Sequence, residues 1–186
     1  MGLVMNSATL GFRSKTGRAI VVALTGTKKE PRFVIRREID LYDPNVPASG
    51  QPYHEVMELA WNKAQVAVKK FVKVIERVAN EALDEVIDAL KAQGFAVKAA
   101  GVTGSPDRDL ERIGNFHIRA HAAEGITFRH VLELAAEKHS IAWKSFSDRT
   151  IGDLAPPEML KTLGRAAGRP WRADERAAAT AAWMVM

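Results

Sequence analysis

Three groups of side chains in this sequence have types and spacings that could do chemistry. His117, His121 and Glu124 stand at i, i+4 and i+7. On a helix that spacing shares one face, so two imidazoles and a carboxylate can converge on one metal ion. A zinc-protease helix carries Glu directly after its first His, and Ile118 stands there instead. Phe116, Ala120 and Ala123 form the adjacent apolar stripe, so the same residues also read as the polar flank of a buried face, with His–Glu hydrogen bonds. The second group is Arg13, Ser14, Lys15, Thr16 and Arg18 around Gly17. Turn amides flanked by Lys, Ser and Thr can cradle a phosphate or a nucleic-acid backbone. The spacing is not that of a P-loop and no helix follows, so the alternative is a plain solvated hairpin. The third group is acidic. Asp174 and Glu175 lie near the C-terminus, and Asp148 and Asp153 follow a strand on the side where open α/β sheets bind ligands. Together these four could form a carboxylate site.

Other polar residues have plainer readings. Asp107, Asp109, Glu111 and Arg112 read as charges at a helix N-terminus. Ser140, Ser145 and Ser147 lack the context of a nucleophile elbow. Trp171, between Arg169 and Arg172 in the chain, could stack a base or cover the rim of a proline turn.

The elements that must position these groups follow from periodicity and breakers. Leu3 to Phe12 alternates apolar residues, and Arg13 to Gly17 reads as a turn. Ala19 to Leu24 is a β-branched apolar run suited to a central strand. Phe33, Ile35, Ile39 and Leu41 mark a third strand. These three form an antiparallel meander. A proline-rich loop over 42–52 leads into helical spacing from Tyr53 to Gln93. An unbroken helix of about 40 residues would span roughly 60 Å, more than a compact domain of this size. The spacing therefore predicts either a break between Phe71 and Leu83, near Asn80, or a homodimer that covers the protruding half. Phe95 to Thr103 is a fourth strand. A helix follows from Asp107 to Glu124, Gly125 breaks it, and Thr127 caps a second helix through Lys138. Ser140 to Phe146 is a fifth strand. A helix opens at Pro156-Pro157 and ends at Gly164, Gly168 and Pro170, and Ala173 to Met184 is an Ala-rich terminal helix. Hairpins followed by β-α-β crossovers imply an α/β fold, a mixed five-stranded sheet with helices on both faces.

Length, 186 residues, suits one domain over 1–186. The absence of Cys excludes disulfides, Cys-ligated zinc and a thiol nucleophile, and makes a cytoplasmic location the expectation. No apolar run approaches a membrane span, and no secretory signal opens the chain. Residues 1–41 hold eight basic and three acidic side chains, which is the whole net charge of +5. A basic N-terminal third on a neutral remainder points to an anionic partner, or to strand edges kept soluble by Lys and Arg.

The order of elements resembles the ribonuclease H-like superfamily, and within it the RuvC-type Holliday-junction resolvase branch. The residues Leu10 to Gly17 resemble that branch's first strand and turn, and Asp174 to Ala179 resemble its closing helix. The resemblance implies a strand-one Asp, a Glu ending strand four, and acids in the last helix that hold two Mg²⁺ ions. In this sequence the strand-one position falls on Phe12 or Arg13, strand four ends Ala100-Gly101-Val102-Thr103, and Asp174 and Glu175 alone remain. The implied function is non-catalytic binding or assembly, with nucleic acid as partner and no cofactor required. The alternative is a Mg²⁺- or Mn²⁺-dependent nuclease with displaced ligands. A phosphate-transfer enzyme of the actin-like kind needs two such domains.

Overall fold

The computed structural model describes residues 5–186, so Leu3 and Val4 lie outside the described residues. Strands β1 (Asn6–Lys15), β2 (Arg18–Gly26) and β3 (Pro31–Asp40) form the antiparallel meander. Strands β4 (Phe95–Gly104) and β5 (Ala142–Ser147) extend the sheet in parallel from β1, giving the order β3-β2-β1-β4-β5. This is the mixed five-stranded sheet that the hairpin and crossover pattern implied.

The first turn is shorter than its composition predicted. β1 continues through Arg13, Ser14 and Lys15, and Lys15 pairs with Arg18 across a two-residue loop, Thr16-Gly17. Gly17 takes φ +75°, a region open to glycine, which lets the chain reverse so tightly. Because these residues are in a strand, their side chains alternate. Ser14 is buried on the side of Leu10 and Phe12, whereas Arg13 and Lys15 project from the opposite face.

The stretch over 53–93 is helical in three pieces: α1 (Pro52–Glu55), α2 (Trp61–Ala67) and α3 (Lys69–Ala92). The breaks fall at residues 56–60 and at Val68, not near Asn80. Asn80 donates from its side-chain amide to the Glu76 carbonyl one turn back, so it is accommodated within the helix. At 24 residues α3 spans about 36 Å, close to the width of the domain, and the length argument for a pairing of two copies loses its premise.

The expected helix over 107–124 is absent from its first half. Residues 105–115 form a loop, and α4 (Phe116–Lys138) then runs without interruption through Gly125 and Thr127. Asn115 caps it by accepting from the Ile118 amide at 3.0 Å. Gly125 is a point of contact, not a breaker: a Cβ there would overlap the Ser105 hydroxyl on the returning loop. Asp107 and His130 flank the buried Arg129, which also bonds Glu133 at 2.5 Å and the Ser105 carbonyl at 2.9 Å, tying that loop down. Similarly α5 (Pro157–Ala167) passes through Gly164, whose bare face accepts the Trp171 ring, and stops at Gly168. The terminal helix α6 (Ala173–Met184) lies where its composition predicted.

The two sheet faces are covered differently. Leu10, Phe12, Val21, Ala23 and Val102 pack on α3 and α4 through Ile75, Leu83, Leu90, Phe128 and Leu132. Ile20, Val22 and Leu24 pack on α5 and α6 through Leu160, Leu163, Ala178 and Ala182. Gly11 and Gly101 are paired neighbours on β1 and β4. A Cβ on Gly11 would overlap the Ala178 carbonyl, and one on Gly101 the Ala181 carbonyl. The backbone of α6 therefore rests directly on the two central strands.

Gly11→Ala has no flexible neighbour to push aside and should cost about 3 kcal/mol or more, lowering Tm by roughly 6–12 °C. Gly114→Ala, with nothing within 4 Å of the added carbon, should stay within about 0.5 kcal/mol of the parent. Thermal and urea unfolding of the two variants checks the difference.

Candidate nucleic-acid interface

The parallel strands β1, β4 and β5 end on the same edge of the sheet, and four predicted site residues meet there. Arg13 sits beside Thr103 at the end of β1. Asp148 follows β5, held by its amide donating to the Gly104 carbonyl at 3.0 Å. Asp174 lies in the first turn of α6. The Arg13 guanidinium donates to Asp148 at 3.2 Å and lies 3.4 Å from Asp174, and Lys15 reaches Asp174 at 3.1 Å. Arg13, Asp148 and Asp174 are 15%, 23% and 29% exposed, so the cluster is partly withdrawn from water and weakly screened.

The remaining acidic candidates are not part of it. Glu175 is buried, and its carboxylate accepts from the Arg172 amide at 2.8 Å, closing the start of α6. Asp153 is exposed in the 3-10 turn Ile151–Asp153. Of the basic candidates, Arg18 pairs with Glu38 at 2.5 Å on the surface, and Ser14 faces the core. Thr16, Gly17 and Arg18 line an open cleft of about 710 Å³, with Asp40, Tyr42 and His54 on its other walls. Elsewhere in the basic third, Arg36 is engaged with the carbonyls of Gly168, Arg169 and Pro170, and Lys28 lies over the Trp183 ring. Trp171 packs edge-on against Phe33 and into Gly164, a structural setting.

The histidine group is completed by a residue the spacing did not reveal. His117 and His121 face His54 of α1, with ring centroids 4.3–5.0 Å apart. Glu124 is fully buried and turned toward α1. One carboxylate oxygen accepts from the Tyr53 and His54 amides at 3.1 Å and lies 2.9 Å from His54 Nδ1. His54 escaped the sequence reading because it fell inside an apparent single helix. The signal available was the run Pro52-Tyr53-His54-Glu55 directly after a proline loop.

Comparison with solved structures bears on the edge cluster. Thermus thermophilus RuvC in complex with Holliday junction substrate superposes with a TM-score of 0.52 at 12% identity, covering 95% of this chain and 90% of that one. This chain has the RuvC fold. A second Thermus thermophilus RuvC structure gives a TM-score of 0.48 at 12% identity, covering 95% and 91%. A Thermus thermophilus ROK hexokinase gives 0.38 at 13% identity, covering 79% of this chain and 37% of its own. No family model and no curated protein matches the sequence. Within the RuvC fold, of the two residues at the strand-one position, Phe12 belongs to the core and Arg13 to the edge cluster. The two-Mg²⁺ arrangement that the sequence resemblance implied does not fit these residues. A guanidinium stands at the end of strand one, where it repels a cation, and it already lies against Asp174, the acid of the last helix.

Two outcomes follow from the geometry. Arg13→Met should destabilise the fold by about 1–3 kcal/mol, because it leaves Asp148 and Asp174 without their shared cation. A double-mutant cycle with Asp174→Asn should show a coupling of at least about 0.5 kcal/mol in urea unfolding. Beside the histidines, Tyr53 stacks on Trp61 at 5.8 Å, and burial pushes its phenol above the ordinary value of 10.0. The nearby charge of Glu124 adds to that, and a hydrogen bond with Thr127 opposes it. Folding therefore favours the neutral phenol. Its stabilisation is complete below pH ~10 and is lost as the pH rises through the folded-state value. The ultraviolet titration of the parent minus that of Tyr53→Phe should rise later than that of a free tyrosine.

Proposed function

We propose that this protein is a RuvC-like domain that binds nucleic acid without cutting it. The observation that carries this reading is the Arg13 guanidinium bridging Asp148 and Asp174 at the strand ends. A nuclease of the two-metal kind needs those carboxylates free to hold cations and to stabilise an attacking water and a leaving oxygen. Here Arg13 and Lys15 together balance the two carboxylates. The edge then carries no excess negative charge and offers its turn to a polyanion in place of a bound metal.

The contact surface in this reading is the β1–β2 hairpin tip. Lys15 and Arg18 flank Thr16 and Gly17, and the turn borders the cleft of about 710 Å³. Arg13 acts from within, holding Asp148 and Asp174 so that neither repels a phosphate. The relative that is solved in complex with Holliday junction substrate supports DNA as the class of partner.

The test is fluorescence anisotropy on duplex, single-stranded and four-way-junction probes across a salt series. Two phosphate contacts at the hairpin, from Lys15 and Arg18, should give a logarithmic salt slope of about −0.9 per contact on duplex. Lys15→Ala should weaken binding to all sequences alike and flatten the slope by about one unit, with Tm nearly unchanged. With Mg²⁺ or Mn²⁺ the junction should stay intact. Absence of salt-dependent binding to every probe overturns the proposal. Metal-dependent cleavage that Asp174→Asn abolishes would instead make the protein a nuclease with displaced ligands.

A further inference from the structure

We propose that His54, His117 and His121 form a three-histidine site for a divalent transition metal of the zinc class. One ring nitrogen from each residue lies within 4.8 Å of the other two. The ring planes are steep to one another, at 69–89°, so no two rings are stacked face to face. Unstacked rings leave in-plane nitrogen lone pairs able to share an ion. Zn–N bonds of about 2.0–2.1 Å need the nitrogens somewhat closer together. His117 and His121 are exposed and free to rotate inward.

A second, independent observation points to an occupant. His54 Nε2 is buried and has no hydrogen-bond partner, while Nδ1 of the same ring faces Glu124 at 2.9 Å. With Nδ1–H donating to the carboxylate, the tautomer is set and the Nε2 lone pair is left free for a metal ion. This is the carboxylate–histidine–metal relay by which outer-shell acids orient a ligating imidazole. Glu124 is itself fully buried, its second oxygen has no partner, and its one ion pair among the described residues is with His54. Arg119 on the same helix is turned to the Ile113 carbonyl and the Trp61 ring. A buried carboxylate without a permanent cation is costly, and a dication bound at the far nitrogen of the imidazole supplies the missing charge.

Neutral imidazoles suit zinc, copper and nickel, whereas Mg²⁺ and Ca²⁺ prefer oxygen ligands. Three protein ligands leave one tetrahedral position open. Since two of the histidines are exposed and His54 lines the cleft beside the hairpin, that position faces water and takes a water molecule or an anionic oxygen.

The experiment is titration of the full, tag-free, chelator-treated chain with ZnCl2 by calorimetry, and with CoCl2 by visible absorption. One Zn²⁺ per chain should bind, and Co²⁺ should give the intense visible bands of a tetrahedral site. His117→Ala and His121→Ala change exposed side chains, and each should weaken Zn²⁺ binding about a hundredfold and abolish the Co²⁺ bands. Glu124→Gln should weaken binding about 10–100-fold at unchanged stoichiometry. His130→Ala and His139→Ala, outside the cluster, should bind as the parent does. No stoichiometric Zn²⁺ binding by the parent overturns the proposal. So does parent-like affinity in His117→Ala, or loss of binding in His130→Ala. The readout involves no nucleic acid, so it stands or falls separately from the hairpin's role.

Discussion

The contact on which the rest of the molecule depends is that of α6 with the centre of the sheet. Side chains ordinarily hold a helix away from the backbone of a sheet. Here Gly11 and Gly101, neighbours on β1 and β4, present bare backbone, and α6 answers with Ala178, Ala181 and Ala182. Any Cβ on either glycine would enter a helix carbonyl. The approach sets both the depth and the register of α6, and thereby carries Asp174, in its first turn, to the end of β1. A helix one side chain further out would leave Arg13 and Asp174 too far apart to pair.

The edge cluster is an electrostatic consequence of that placement. Two carboxylates brought to one point on a partly buried edge repel each other unless a cation joins them. RuvC-type chemistry, as the sequence resemblance implies it, uses metal ions for this purpose. In this chain the cation is covalently part of β1, because strand alternation turns Arg13 outward from the core that Phe12 enters. A guanidinium satisfies the acids by directional hydrogen bonds and offers no open coordination position, so it stabilises the edge from within the chain. The same alternation buries Ser14 and leaves Lys15 beside the solvent-facing turn.

On the opposite face, α4 organises a second polar region. Its middle carries Arg129 and Glu133 against the 105–115 loop and β5, and its first turns carry His117, His121 and Glu124 against α1. Gly125 lies between these two sets and lets Ser105 close on the helix. One uninterrupted helix therefore links the end of β4, the end of β5 and the segment at residues 52–55. His54 and the hairpin border a common cleft although they belong to different layers of the fold.

The sequence by itself determined the sheet and its order of elements. The apolar run Ala19–Leu24, the alternation at Phe33 and Ile35, and the Ala-rich end from Ala173 are local patterns whose period decides strand or helix before any packing occurs. It also determined that Phe12 or Arg13, neither of them an acid, stands where the resemblance places one, and that His117 and His121 share a helix face. Local patterns could not decide what a breaker residue does. Gly125 and Gly164 read as helix ends, and both lie inside helices, because a missing Cβ serves a close contact as readily as a turn. Nor could they decide where the long helical stretch divides, since 56–60 and Val68 are apolar enough to continue it. Only the tertiary structure brought Asp148 and Asp174 to Arg13 and set His54 in the place at the cluster that spacing gave to Glu124. Those groups lie some 25–160 residues apart in the chain, and separations of that size leave no periodic trace. They are decided by which helix can approach which strand.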